Sequence, residues 1–249
     1  MTKQIRMALI GSGSESTGAA AIDAFQRGEI PSVINIVAFI STVPEAGLLS
    51  RAAERNVLSF AIDDSQRRDL FQAEVLYAIE RLEIDLLVSA GCRAMLPNSD
   101  ICMVNTHPEE KELHGGHHMV GLAPHLHFLE HEIIDKLWRG RANVETEFAA
   151  KITFHYINGY KSIDSVTSFD TGLTIMEVPI PIPRDIIERA WRIRQPCRHR
   201  SGHWDWDREK MRREAMDNLA QEIQNHVLIH ERQLLPKFIE TIAKLIATS

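Results

Sequence analysis

The chain has few cysteines, no membrane-length apolar run and no excess of positive charge, and each shortage removes a class of function. Its three cysteines, Cys92, Cys102 and Cys197, lie far apart and form no Cys-x-x-Cys pair. That excludes a disulfide framework of the kind small secreted domains need, and it suits a reduced compartment. No apolar run approaches the ~20 residues that a membrane-spanning helix requires. Met1 to Arg6 lead straight into a strand-like run, without the apolar core of a signal peptide. A cytoplasmic protein with no membrane attachment is therefore expected. A formal charge of −6 over 249 residues is the wrong sign for a chain coated for nucleic acid. Internal repeats, low-complexity tracts and flexible linkers are also missing.

What is present is an alternation of short apolar runs and helical periods. Residues 5–10, 33–40, 57–62, 84–90 and 101–105 read as strands. Between them lie an Ala-rich helix over 17–27 and a helix with Pro44 in its first turn, carrying Leu48, Leu49 and Ala52. A third helix follows, on which Phe71, Val75, Ile79 and Leu82 recur at steps of four, four and three. Near-continuous apolar strands separated by helices imply an α/β, Rossmann-like, mostly parallel sheet with helices on both faces. Ligands of such sheets sit beyond the carboxyl ends of the strands. The composition changes near Pro183. Residues 184–213 hold nine arginines with Trp191, Trp204 and Trp206, and Ile186, Ile187, Ala190 and Trp191 follow a helical period. A long closing helix carries Met216, Leu219, Ile223 and Val227 and is expected to break at Pro236. The expected organisation is an α/β catalytic core over 1–182 and a helical C-terminal segment, 183–249, packed on it.

Polar residues stand at the ends of several strands. Asn105-Thr106-His107-Pro108 closes the run that begins near Ile101. The two-residue step puts Asn105 and His107 on one face of an extended segment. An amide donor beside an imidazole can hold a developing oxyanion and move a proton; the same triplet can also be a polar strand end closing a turn. Gly11-Ser12-Gly13-Ser14 offers backbone N–H groups to an anion at a helix start, or forms an ordinary tight turn. Asp170 in Asp170-Thr171-Gly172 reads locally as a turn aspartate, and His155 in the strand-like 152–157 as a hydrogen-bonded structural residue. His127 and His131, at i and i+4, could share a zinc ion with His114 or His118. No His-Glu-x-x-His arrangement accompanies them, and no metal is expected.

Four stretches together resemble the folate-dependent formyltransferases, and within them the glycinamide ribonucleotide formyltransferase type. Met7-Ala8-Leu9-Ile10-Gly11-Ser12-Gly13-Ser14, followed by Ala21-Ile22-Asp23-Ala24, is similar to the family's opening strand, glycine loop and first helix. Ser89-Ala90-Gly91-Cys92-Arg93-Ala94-Met95-Leu96 is similar to its Ala-Gly-x-x-x-x-Leu folate loop. Asn105-Thr106-His107-Pro108 matches its Asn-x-His-Pro signature. Phe169-Asp170-Thr171-Gly172, with Val178-Pro179-Ile180 behind it, resembles its Leu-Asp-x-Gly motif and the following strand. A weaker echo runs from Glu222 to Pro236 and includes His230-Glu231.

The resemblance implies formyl transfer from 10-formyltetrahydrofolate, as co-substrate, to a primary amine such as glycinamide ribonucleotide, and so a place in purine biosynthesis. It implies catalytic roles for Asn105, His107 and Asp170. It places Cys92, Arg93, Ala94, Met95 and Leu96 at the folate, with His155 near the site, and Gly11, Ser12, Gly13, Ser14 and Arg68 at the acceptor's phosphate. The chain departs from the family in four places. Glu109-Glu110-Lys111-Glu112 stands where the family continues Ser-Leu-Leu-Pro, and the glycine loop is one residue longer and carries Glu15. The segment between His155 and Asp170 is longer, and 184–213 reads as an insertion. These changes bear on the acceptor, so another amine such as an amino sugar, or water in a 10-formyltetrahydrofolate hydrolase, stays open. A nucleic-acid-binding module built on the Arg/Trp segment runs against the acidic balance. With so many arginines in an acidic chain, some of Arg184, Arg189, Arg192 and Arg194 are expected to face an anion. Whether the chain forms a homodimer stays open.

Overall fold

The computed structural model describes residues 4–12, 17–92, 94–110, 113, 121–157, 172–194 and 206–247. The strands are β1 (Ile5–Gly11), β2 (Ile34–Ser41), β3 (Leu58–Ala61), β4 (Leu86–Ser89), β5 (Cys102–His107), β6 (Ala149–Tyr156) and β7 (Thr174–Pro181). The helices are α1 (Thr17–Gln26), α2 (Gly47–Glu54), α3 (Arg68–Arg81) and α4 (Ala123–Phe128), then a π-helical turn (Leu129–Ile134) leading into α5 (Asp135–Trp138), α6 (Arg184–Ile193) and α7 (Trp206–Ala247). One sheet holds all seven strands in the order β3-β2-β1-β4-β5-β6-β7. The ladders β1–β2, β1–β4, β2–β3 and β4–β5 are parallel, and β5–β6 is antiparallel. The expected mostly parallel α/β sheet is the one found.

Met7, Ala8, Leu9 and Ile10 are all 0% exposed, so both faces of β1 are covered. That is why the run is continuously apolar rather than alternating. Ala8 and Ile10 of β1, Ala38 and Ile40 of β2, Leu87 of β4 and Met103 of β5 share a cluster with Phe71, Val75, Ala78 and Ile79 of α3. Each large side chain buried there contributes roughly 1.5–3 kcal/mol, which fixes α3 as a rigid element. The steps of four and four read from the sequence are this buried stripe.

Two expectations fail for local reasons. Helix α2 starts at Gly47 rather than around Pro44, because Glu45 adopts φ 59°, which no right-handed helix accepts, and Ala46 is extended. Helix α7 runs unbroken through Pro236. The missing N–H costs one intrahelical bond, offset by Leu235, Phe238, Ile239 and Ile242 buried on both sides of it. Phe238 stacks on Phe154 of β6 with ring centroids 4.3 Å apart.

The chain divides into two compact units. The first comprises residues 1–107, 153–176 and 230–249, and holds β1 to β5 with α1 to α3. The second comprises 108–152 and 177–229. In it Leu129, Ile133 and Leu137 are buried, as are Ile186, Ile187 and Ala190 of α6 and Met216, Leu219, Ile223 and Val227 of α7. Among the described residues no helix is long and apolar enough to cross a membrane.

Candidate active site

Strand β5 extends to His107, two residues beyond the expected end, and so carries Asn105 and His107 within the sheet. Asn105 pairs with Ser89 of β4 on one side and with His155 of β6 on the other. Asn105 is half-buried, whereas His107 and His155 are only 3% and 1% exposed. His155 Nδ1 lies 2.9 Å from the Tyr156 carbonyl, and its Nε2 lies 3.3 Å from Asn105 Nδ2. A carbonyl only accepts, so Nδ1 carries the proton and donates. Nε2 is then the ring's acceptor, and it receives an N–H from the Asn105 amide. This pair sets which way the amide faces. His155 therefore meets Asn105 directly, and both of its ring nitrogens are engaged.

The opposite face of β5 is tied down by a buried carboxyl. Thr106, between Asn105 and His107, donates its hydroxyl to Glu231 of α7. Glu231 is 5% exposed. Burial raises its pKa, while hydrogen bonds from Thr106 and from Thr17, the first residue of α1, oppose the rise. One carboxyl thus links β5, α1 and α7. Only the weak C-terminal echo around His230-Glu231 hints at it in the sequence; Thr17 and Thr106 carry no local signal.

Between β1 and β4 the strand order reverses, and ligands of open α/β sheets bind at such a switch point. The loops there touch. The Ala90 amide donates to the Ile10 carbonyl at 2.8 Å, and the Ser12 amide to that of Gly91 at 3.3 Å. A Cβ on Gly11 would lie 2.3 Å from the Ala90 carbonyl oxygen, so only glycine permits this approach. Of the expected folate-loop residues, Leu96 is buried in the core cluster beside α3, with Cys92 and Ala94 packed against it. Burial pushes the Cys92 thiol up to about 12, which leaves it protonated and no nucleophile at neutral pH. Arg68 of α3 donates to the thioether of Met95, so this arginine meets the loop.

Asp170, Arg93, Gly13 and Ser14 lie outside the described residues. Gly172, two residues past Asp170, packs on the end of β6: a Cβ there would collide with the Tyr156 carbonyl, and the Tyr156 amide donates to the Leu173 carbonyl at 3.0 Å. His114, His117 and His118 are also outside the described residues. Among those described, no group of three or more His, Cys, Asp or Glu converges. His127 and His131 are ring neighbours, centroids 4.2 Å apart.

The second unit holds a pair that the sequence did not announce. Glu109 and His125 are each 1% exposed, with Oε1 of the first 3.0 Å from Nδ1 of the second, and the Lys151 amide donates to Glu109 Oε2 at 3.3 Å. Burial pushes the Glu109 carboxyl up to about 9. Two arginines of α6 meet carboxylates of the protein itself. Arg184 bonds Glu145 and Glu188, and Arg189 bonds Glu222 and Asp185. Arg194 lies 3.4 Å over the Trp191 ring.

No family model and no curated protein matches this sequence. Solved structures do match its fold. Phosphoribosylglycinamide formyltransferase from Anaplasma phagocytophilum superposes with a TM-score of 0.59 at 20% identity, covering 97% of this chain and 88% of that one. The Bacillus halodurans enzyme of the same name gives 0.59 at 19%, covering 95% and 94%. The Coxiella burnetii enzyme, in complex with CHES, gives 0.58 at 20%, covering 95% and 86%. The fold is that of the phosphoribosylglycinamide formyltransferases. At this identity the formyltransferase fold persists while about four residues in five differ, which explains why only short strand-end motifs carry the likeness in the sequence.

Proposed function

We propose that this protein transfers a formyl group from 10-formyltetrahydrofolate to a primary amine, with glycinamide ribonucleotide the first acceptor to test because the similar solved structures are named for it. The observation that carries the reading is the Asn105–His155 pair beside His107 at the carboxyl end of β5, within a formyltransferase fold. Asn105 has two amide protons. His155 takes one and so orients the amide, which we assign as the donor to the oxyanion that forms when the amine attacks the formyl carbon. His107, two residues on along the strand, adds a donor and accepts or returns a proton. The amine nitrogen loses one proton, N10 of the folate gains one as the tetrahedral intermediate collapses, and the formamide and tetrahydrofolate leave. Asp170 is proposed as the residue that tunes His107. The loop 92–96 is proposed as the seat of the pteridine, and Gly11 to Ser14 with Arg68 as the side that receives an anionic acceptor.

The test is a panel of amines, including glycinamide ribonucleotide and amino sugars, incubated with 10-formyltetrahydrofolate while tetrahydrofolate release is followed. Release that depends on an amine supports the transferase. Release of equal rate without any amine identifies a hydrolase, and no release with any acceptor overturns both.

A further inference from the structure

The segment after β4 carries the residues proposed to hold the folate, yet residues 94–101 contain no regular secondary structure. Its carbonyls have no ladder to satisfy them, so their partners decide its shape. One partner is a side chain of α3. Gln72 Nε2 donates to the Met95 carbonyl at 3.0 Å and reaches the Leu96 carbonyl at 3.5 Å. A primary amide has two N–H groups, one for each carbonyl. Arg68, one turn earlier on the same face of α3, meets the Met95 thioether. The helix that presents both is held by Phe71, Val75, Ala78 and Ile79, and the Leu96 side chain enters that same cluster. The loop is therefore fixed at Met95–Leu96 twice, through its backbone by Gln72 and through the Leu96 side chain by the core.

We propose that Gln72 is a positioning residue for the folate: its amide clasps the Met95 and Leu96 carbonyls and holds residues 94–96 in the shape that receives the pteridine. This deepens the folate reading and rests on it. Gln72 acts through the loop backbone and takes no part in the chemistry, so it acts on folate binding far more than on the rate of the bound complex. A preformed loop spares the ligand the cost of ordering it.

The test compares Gln72→Ala, Gln72→Glu and Gln72→Lys with the wild type. Glutamate matches the size but donates nothing and sets a charge against two carbonyls; lysine keeps donors at similar reach. For alanine and glutamate the expected result is a rise of at least ~10-fold in KM for 10-formyltetrahydrofolate and in Kd for tetrahydrofolate by calorimetry. The acceptor's KM and kcat at saturating folate should stay within about threefold, with at least partial recovery in lysine. Amide exchange over 94–101 should accelerate in the first two variants, while the Tm moves by no more than about 3 °C. Unchanged folate binding together with unchanged exchange in Gln72→Ala overturns the clasp. Equal losses in kcat, both KM values and Tm reduce Gln72 to a fold residue and overturn it as well. A wild-type protein that binds no tetrahydrofolate overturns the folate reading and the clasp's purpose with it. Loop exchange would still show whether Gln72 holds the loop, so the two failures can be told apart.

Discussion

Asn105 is the proposed oxyanion donor and His155 the residue that orients its amide, and this division of roles makes the two residues unequal in what their loss should do. Replacing Asn105 with alanine removes the donor itself, and losses of about 10²–10³ in kcat are typical of an oxyanion donor. Replacing His155 with alanine only frees the amide to rotate, so a fall of about 10-fold is expected. The double variant should then be no slower than Asn105→Ala alone, because His155 acts through Asn105; additive losses measured in steady-state kinetics would give His155 a contact of its own with substrate. His107→Ala should lower kcat by roughly 10²-fold or more and leave tetrahydrofolate affinity nearly intact, since a donor aimed at the transition state acts on rate. Near wild-type turnover would make His107 structural. Asn105 and His107 were legible because they are two residues apart on one strand. The Asn105–His155 bond was not, because it joins residues fifty positions apart and exists only once β5 and β6 pair in this register.

At the scale of elements, local pattern served where burial is continuous or periodic, as in β1, β2, β4 and the stripe of α3. It failed where one backbone angle or a distant contact decides, as at Glu45 and Pro236. Helix α6 shows the same limit for function. From sequence its arginines call for an anion, and the structure supplies anions from the protein: Glu145, Glu188, Asp185 and Glu222 are spread from position 145 to 222 and invisible to a local reading. Guanidiniums already bound to carboxylates contribute little to a ligand's phosphate. Arg184→Ala and Arg189→Ala should therefore leave the acceptor's KM within about twofold and move Tm by no more than about 3 °C, as exposed ion pairs do. A tenfold rise in acceptor KM alone, in either variant, would return these arginines to the site.

For the molecule as a whole, two buried acids whose pKa is raised, Glu109 and Glu231, set an unusual dependence of stability on pH. Glu109 faces His125 of α4 and the Lys151 amide of β6, with Glu110 adding like charge. Glu231 faces the Thr106 and Thr17 hydroxyls, with Arg232 nearby. In both, burial raises the folded pKa above the ordinary carboxyl value of 4.5, to about 9 for Glu109. Between those values the folded chain keeps protons that the unfolded chain has released. The folded state binds more protons there, so these two groups lower stability as pH rises above 4.5, with no further loss once each folded carboxyl has itself ionised. A protonated Glu109 donates to His125 Nδ1 and accepts from Lys151, and a glutamine side chain makes both bonds without a titratable proton. The Glu109→Gln, Glu231→Gln double variant should thus lose Tm less steeply than the wild type between about pH 5 and 9, with the two curves closest at the acid end. Thermal unfolding across that range decides it. Parallel curves would mean that the Glu109–His125 pair is an imidazolium–carboxylate pair, whose proton sits on the ring and whose carboxylate is already ionised at neutral pH.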